Sequence, residues 1–233
     1  MIEVRPFDSL GKADHGWLKA NFHFSFAGYF DQRRMHWGKL RVWNDDIIAG
    51  KSGFPPHPHE DMEIITYVRK GAISHKDSLG NEGTTVAGDV QVMSAGTGIV
   101  HAEYNLAEEE LQSFQLWIMS DRKGLPPSWG TKPFPKEARE GQFAVLASGR
   151  EEAMDEDALR ISADARVLGA TVKAGESVRY DLGGRKGYLV PASGKIEIAG
   201  ERANARDGVA IADLDVLEVT ALEDAELVLV DSA

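Results

Sequence analysis

Two short patterns bring metal-ligating residue types into strand register: His57-Pro58-His59 and His101-Ala102-Glu103. Successive side chains of a β-strand point to opposite faces, so residues i and i+2 project from the same side, and two such strands could aim four ligands at one point. Three neutral imidazoles and a carboxylate suit a divalent transition metal. A four-ligand protein set leaves a five- or six-coordinate ion room for water or substrate. The seven histidines are His15, His23, His36, His57, His59, His75 and His101, so imidazole chemistry is confined to the first half of the chain. The absence of cysteine disfavours a structural zinc of the finger type and excludes a cysteine nucleophile and disulfides.

The elements that must position these residues read as short strands. Segments rich in β-branched and aromatic residues run from Gly38 to Trp43, Glu63 to Val68, Val90 to Met93 and Leu111 to Met119. Asp77-Ser78-Leu79-Gly80-Asn81 is the clearest hairpin turn between them. A second series follows: Arg166 to Lys173, Ser177 to Leu182, Gly187 to Val190, Lys195 to Ile198, Asp215 to Thr220 and Ala225 to Val230. Between the two series lie Pro126, Pro127, Pro133 and Pro135, which predicts an inter-domain connection. The expected organisation is a first domain over 1–125, a proline-rich linker over 126–141 and a second domain over 142–233. Glu151 to Asp157 is expected to be a solvated acidic loop or short helix.

Two turns line up between the halves. Val68-Arg69-Lys70-Gly71-Ala72-Ile73 matches Val190-Pro191-Ala192-Ser193-Gly194-Lys195-Ile196, and Ala87-Gly88-Asp89-Val90 matches Arg206-Asp207-Gly208-Val209. They suggest an internal repeat of one barrel, with metal-ligand residues in the first copy alone.

A chain of 233 residues with 42% hydrophobic residues can bury a substantial core, and 24 glycines with 9 prolines describe a turn-rich globular protein. The formal charge of -11 argues against nonspecific binding to nucleic acid or an anionic membrane, since a polyanion is repelled at long range. The N-terminal Met-Ile-Glu-Val-Arg-Pro-Phe-Asp lacks the apolar core of a secretory signal, and no run approaches the roughly 18 apolar residues of a membrane span. A cytoplasmic protein is expected.

His57-Pro58-His59 with Glu63 and Gly71 resembles the first cupin motif, and Gly88, Gly98, His101 and Asn105 resemble the second. More specifically, the stretches from His57 to Glu63 and from Met93 to Glu103, with Phe24-Ser25-Phe26-Ala27 and Tyr29, resemble the pirin family, in particular its bacterial quercetin 2,3-dioxygenase-like members. The resemblance implies an all-β bicupin: two jelly-roll barrels in one chain, the first holding one metal and the second degenerate. It implies His57, His59, His101 and Glu103 as ligands, whereas the general cupin pattern would use Glu63. Glu63 shares strand parity with His57 and His59 if the strand is regular. A supporting or pocket-lining role for it stands beside a salt-bridging one.

Among the other candidates, His23 and His75 read as structural histidines, although either could face a pocket. Phe22, Phe24 and Phe26 read as core, with one of them able to wall a pocket against a planar substrate. Gln115 and Trp117 share that ambiguity, and Trp117 is expected in the core.

The implied activity is dioxygenative cleavage of the heterocyclic ring of a flavonol, with Glu103 as both ligand and general base and carbon monoxide as a product. Iron(II) is the expected metal, because a redox-active ion can engage both a phenolate and dioxygen. Manganese, nickel, cobalt, copper and zinc are substitutes. The contrasting reading is a non-catalytic, metal- or redox-dependent regulator that binds a transcription factor or metabolic enzyme as its protein partner. A third is that flavonols stand in for another phenolic substrate.

Overall fold

The computed structural model describes residues 1–233. β1 (Ile2–Arg5) opens the chain. The first unit is built from β2 (Gly11–Asp14), β3 (Leu18–Phe22), β4 (Leu40–Ile48), β5 (Ser52–His59), β6 (Met62–Lys70) and β7 (Ala72–Asp77). It continues with β8 (Glu82–Val86), β9 (Val90–Ser94), β10 (Ile99–Asn105), β11 (Leu111–Met119) and β12 (Ser128–Lys132). The second unit comprises β13 (Ala144–Ser148), β14 (Leu159–Arg160), β15 (Ala165–Val172), β16 (Ser177–Asp181) and β17 (Lys186–Ser193). It ends with β18 (Ile196–Ile198), β19 (Glu201–Ala203), β20 (Gly208–Ile211), β21 (Val216–Ala221) and β22 (Ala225–Ser232).

Each unit is a jelly roll made of two sheets, without hydrogen-bonded closure into a barrel. In the first, a sheet ordered β12-β9-β6-β11-β4-β3-β2 faces one ordered β5-β10-β7-β8. In the second, β1-β20-β17-β22-β15-β13-β14 faces β16-β21-β18-β19. The two orders are the same path walked twice: β9-β6-β11-β4 repeats as β20-β17-β22-β15, and β5-β10-β7-β8 as β16-β21-β18-β19. The aligned turn glycines confirm the correspondence in backbone terms. Gly71 has φ +79° and Gly194 φ +78°, a left-handed conformation that glycine adopts without a Cβ penalty.

Two strands depart from a simple division along the chain. β1 adds to the large sheet of the second unit through pairing with β20, in register Ile2 with Ile211. β12, inside the proline-rich stretch, adds to the large sheet of the first by pairing with β9. The same edge of each large sheet is thus completed by a segment from outside the expected domain bounds, β1 from 1–125 and β12 from the stretch 126–141. Such closure hides the open row of backbone donors and acceptors that an edge strand leaves.

The two large sheets pack against each other. Their shared core of 21 buried residues includes Trp43, Tyr67 and Phe114 from the first unit and Leu146, Tyr188 and Val228 from the second. This is the largest apolar cluster in the molecule, so burial of apolar area between units rivals burial within them. Charge crosses the same seam. The buried Asp45 carboxylate accepts from Arg69 and from Arg206 of the second unit, and Tyr67 and Arg139 meet Glu226. The acidic segment Glu151 to Asp157 is exposed, as expected, except at Asp155. A short 3-10 turn over Ala153–Asp155 buries Asp155 against Arg166 at 2.7 Å.

Candidate metal centre

β5 is an unusual strand, Ser-Gly-Phe-Pro-Pro-His-Pro-His. Proline cannot donate to a ladder, which confines such a sequence to a sheet edge, and β5 is the edge strand of its sheet. It pairs antiparallel with β10, placing His57 opposite His101 and His59 opposite Ile99. Register shifts between His101 and Glu103, whose partner is Phe54, so an extra residue is accommodated at Pro55 and Pro56. Along β10, His101, Glu103 and Asn105 are all buried and alternate with more exposed neighbours.

Three imidazoles converge as their spacing predicts. The ring centroids of His57 and His101 lie 4.4 Å apart, those of His57 and His59 4.8 Å, and those of His59 and His101 5.0 Å. One nitrogen from each falls within 4.8 Å of the others. The Nδ1 of His57 lies 2.8 Å from the carbonyl of Pro55. Because a carbonyl only accepts, Nδ1 carries the proton and Nε2 keeps its lone pair for a ligand. Burial and the neighbouring imidazole lower His59 to about 4, and burial with the adjacent rings lowers His101 to about 3. Both rings are therefore neutral at pH 7, the form that binds metal. Both nitrogens of His101 are buried without a hydrogen-bond partner, a cost that coordination would remove.

Glu103 is the buried carboxylate of the group. It clusters with His101 and His75, within the same 4.8 Å limit. Its Oε1 accepts from Gln91, and its Oε2 accepts from Gln115 at 2.9 Å. Burial raises it to about 7, against the lowering effect of hydrogen bonds from Gln91, Gln115 and Thr66. These three belong to one row on the inner face of the large sheet. Thr66 lies opposite both Gln91 and Gln115 in register, and Gln115 lies opposite Asn44.

Glu63 takes no part in this cluster. The chain turns between β5 and β6 at Asp61, with φ +47°, and the two strands lie in different sheets, so parity does not carry across. Glu63 instead accepts from Ser120 at 2.6 Å and from Ser94. It faces away from the imidazoles, on the same side of β6 as Ile65 and Tyr67, which pack between the units.

The other candidates separate as follows. His23 is fully buried at the seam, its Nδ1 3.0 Å from the Tyr188 hydroxyl. His75 joins its Nε2 to Asp77 at 3.0 Å and stacks on Trp129 with an interplanar angle of 6°, beside His101. Phe24 packs between the units. Phe22 and Phe26 instead wall a cavity of about 350 Å³ with Trp17, Phe54 and Gln115. Trp117 is not a simple core residue. Its Nε1 donates to Gln115 at 3.1 Å, and its ring meets His59 edge-on at 5.0 Å. A polar tip on a large ring is the signal that could have placed it at the site. Asn105 is structural: its amide donates to the carbonyls of Ile48, Ala49 and Glu109.

Comparison with known proteins places this geometry. Residues 3–118 match the family model described as Pirin, and residues 145–232 match the one described as Quercetinase C-terminal cupin domain. A pirin-like protein of Caulobacter vibrioides is 65% identical over 234 residues, covering 100% of both chains. The chain belongs to the pirin family. Another relative, named quercetin 2,3-dioxygenase, from Escherichia coli, is 38% identical over 233 residues, 99% of this chain and 98% of its own. The crystal structure of the bacterial pirin YhhW from Escherichia coli in complex with nickel(II) superposes with a TM-score of 0.92 at 36% identity, covering 100% of this chain and 99% of that one. The bicupin fold expected from the sequence is the pirin fold. The candidate metal cluster lies in its first jelly roll. No helix is long and apolar enough to cross a membrane.

Proposed function

We propose that this chain is a metal-dependent dioxygenase that opens the heterocyclic ring of flavonols such as quercetin and releases carbon monoxide. The observation that supports it most is the convergence of the His57, His59 and His101 imidazoles, with the buried Glu103 grouped on the same His101, near an apolar pocket. We assign His57, His59, His101 and Glu103 as ligands of one divalent transition metal, iron(II) first, with manganese, nickel, cobalt, copper or zinc as substitutes. The donor set fits: the His57 tautomer exposes Nε2, and His101 has buried nitrogens in need of a partner. A redox-active ion held there supplies Lewis acidity and open positions for a phenolate and dioxygen.

The remaining work falls to the chain. Glu103, buried and held as a hydrogen-bond acceptor by Gln91 and Gln115, is placed to accept the proton of the flavonol 3-hydroxyl. Gln91 and Gln115 fix its two oxygens, and Trp117 fixes Gln115 in turn. Trp17, Phe22, Phe26 and Phe54 supply a slot for a planar ring system and exclude water from it. One dioxygen is consumed. The bonds flanking the hydroxyl-bearing ring carbon break, that carbon leaves as carbon monoxide, and the rest leaves as a depside.

The test is metal analysis of the purified protein followed by aerobic turnover of quercetin. One metal equivalent per chain, dioxygen uptake and carbon monoxide release above a protein-free control are expected, and all three should be lost in His57→Ala. Metal uptake without carbon monoxide release from any metal would overturn the dioxygenase in favour of the metal-sensing regulator. A higher kcat/KM for an unrelated phenolic would replace the flavonol as substrate.

A further inference from the structure

The pocket beside the metal cluster has a floor that the ring-cleavage chemistry leaves unused. β4 turns Asn44 and Asp46 toward the inside of the first jelly roll, while Trp43 and Asp45 face the seam. Asn44 pairs with Gln115 and Asp46 with Ser113 across β11, so both extend the polar surface that holds Glu103 into the wall of the 350 Å³ cavity. Asp46 is 3% exposed and Asn44 4%. The Oδ1 of each is buried without a hydrogen-bond partner. Asp46 forms no salt bridge: Arg69, whose charge acts on it, is paired with Asp45 on the opposite face. Besides these two, the wall holds His15 and Gln115, and its other seven residues are apolar, Trp17, Leu18, Phe22, Phe26 and Phe54 among them.

A buried carboxyl in an aromatic slot costs stability unless something hydrogen-bonds to it. The slot adjoins the cluster through two of its lining residues, Gln115, which donates to Glu103, and Phe54, whose ring lies 6.1 Å from that of His57, so a substrate bound at the cluster would place there the part remote from its metal-binding oxygen. We infer that Asp46, supported by Asn44, is the specificity-determining residue of this site and selects planar phenolics that carry a hydroxyl on a second ring, away from the oxygen that meets the metal. This rests on the phenolic-substrate reading given above. Burial, with Asp45 and Glu103 nearby, raises Asp46 to about 8. At neutral pH the carboxyl is thus mostly protonated and can both donate to and accept from a phenolic hydroxyl.

The experiment measures equilibrium binding to nickel-loaded protein under nitrogen, so that affinity is read without turnover. The probes are quercetin and 3-hydroxyflavone, which share the 3-hydroxyl and 4-carbonyl and differ in the remote hydroxyls. Wild type should prefer quercetin by about tenfold or more. Asp46→Ala should lose most of that preference while its Kd for 3-hydroxyflavone stays within about threefold, the neutral range for a contact that ligand never makes. Asp46→Asn, nearly isosteric and expected to fold whatever becomes of the alanine variant, should keep an intermediate preference. Equal affinity of wild type for the two probes, equal weakening of both by Asp46→Ala, an unchanged ratio in Asp46→Asn, or no binding of either probe would each overturn the assignment. Ring cleavage is assayed separately under air. A protein that shows the binding pattern but releases no carbon monoxide loses the dioxygenase reading and keeps this one.

Discussion

The two jelly rolls follow one topology and fill their interiors in opposite ways. The second encloses a continuous apolar cluster of 19 buried residues, to which β21 contributes Leu217, Val219 and Ala221 and β16 contributes Val178 and Tyr180. In the first, the corresponding strand β10 turns His101, Glu103 and Asn105 inward. The apolar interior there is divided into clusters of seven and four. Between them runs the polar belt of Thr66, Gln91, Glu103 and Gln115. Burying such groups without full hydrogen bonding costs free energy. On the function proposed above, metal binding would offset that cost, and the 21-residue core between the large sheets ties the first unit to its neighbour.

The largest expected effect breaks the comparison at its centre. His101→Leu gives the first unit the kind of interior the second already has, so metal uptake, metal-dependent thermal stabilisation and turnover should all disappear. The metal-free protein should keep or slightly gain stability, because two unpartnered buried nitrogens are removed. Calorimetry with and without metal reads both. A metal-free variant much less stable than wild type would show that His101 has an unrecognised structural partner.

Next in size is the catalytic contrast between two carboxylates that the sequence leaves in competition. Glu103→Gln should lower kcat by about 10²–10⁴, the range for losing a positioned general base. Glu63→Gln should leave kcat within about threefold and lower stability by about 1 kcal/mol, through its bonds to Ser94 and Ser120. The reverse ranking in steady-state kinetics would return the catalytic carboxylate to Glu63.

In the second unit the cost should be packing alone. Leu217→Ala should destabilise by about 2–5 kcal/mol, measured by urea unfolding, with metal stoichiometry unchanged. Because the seam joins the units, one cooperative transition is expected rather than two. Separate transitions would mean that the shared core is weaker than its buried residues imply.

These contrasts also mark what was legible beforehand. Period-two spacing points to His57, His59 and His101, which the fold brings together, and β-branched runs mark most strands, because both signals are local. The edge exchange of β1 and β12 was hidden, since nothing within Ile2–Arg5 or Ser128–Lys132 names a partner more than a hundred residues away in one case and across a turn-rich stretch in the other. The sequence leaves the role of Glu63 open because parity holds only within a strand, and the turn at Asp61 ends it. The second aligned turn was one residue out of step. The left-handed positions are Gly88 and Arg206, each two residues before the following strand. Asn44 and Asp46 went unread, although an amide and two acids inside Trp43-Asn44-Asp45-Asp46-Ile47-Ile48 are a signal: a strand buried on both faces must give each of them a partner or a purpose.

The smallest expected effect concerns the seam, through a residue that neither interior claims. His23 is fully buried between the units, and burial, aided by Arg5, Arg34, Arg206 and Arg69, lowers it to about 3. Its unfolded value is near 6.5. Below pH 6.5 the unfolded chain therefore takes up a proton that the folded chain refuses. The stability contributed by neutral His23 is complete above that pH and is lost as pH falls from about 6.5 toward 3, at roughly 1.4 kcal/mol per pH unit. Carboxylates titrate across the lower part of this window, so the informative quantity is a difference between proteins. His23→Gln keeps a polar group for Tyr188, whose hydroxyl lies 3.0 Å from Nδ1, and removes the titration. Between pH 6 and 5 its unfolding free energy should fall less steeply than that of wild type, by about one proton's worth of slope. Parallel curves would mean that His23 takes up its proton in the folded protein, and that the seam opens to water more readily than its packing implies.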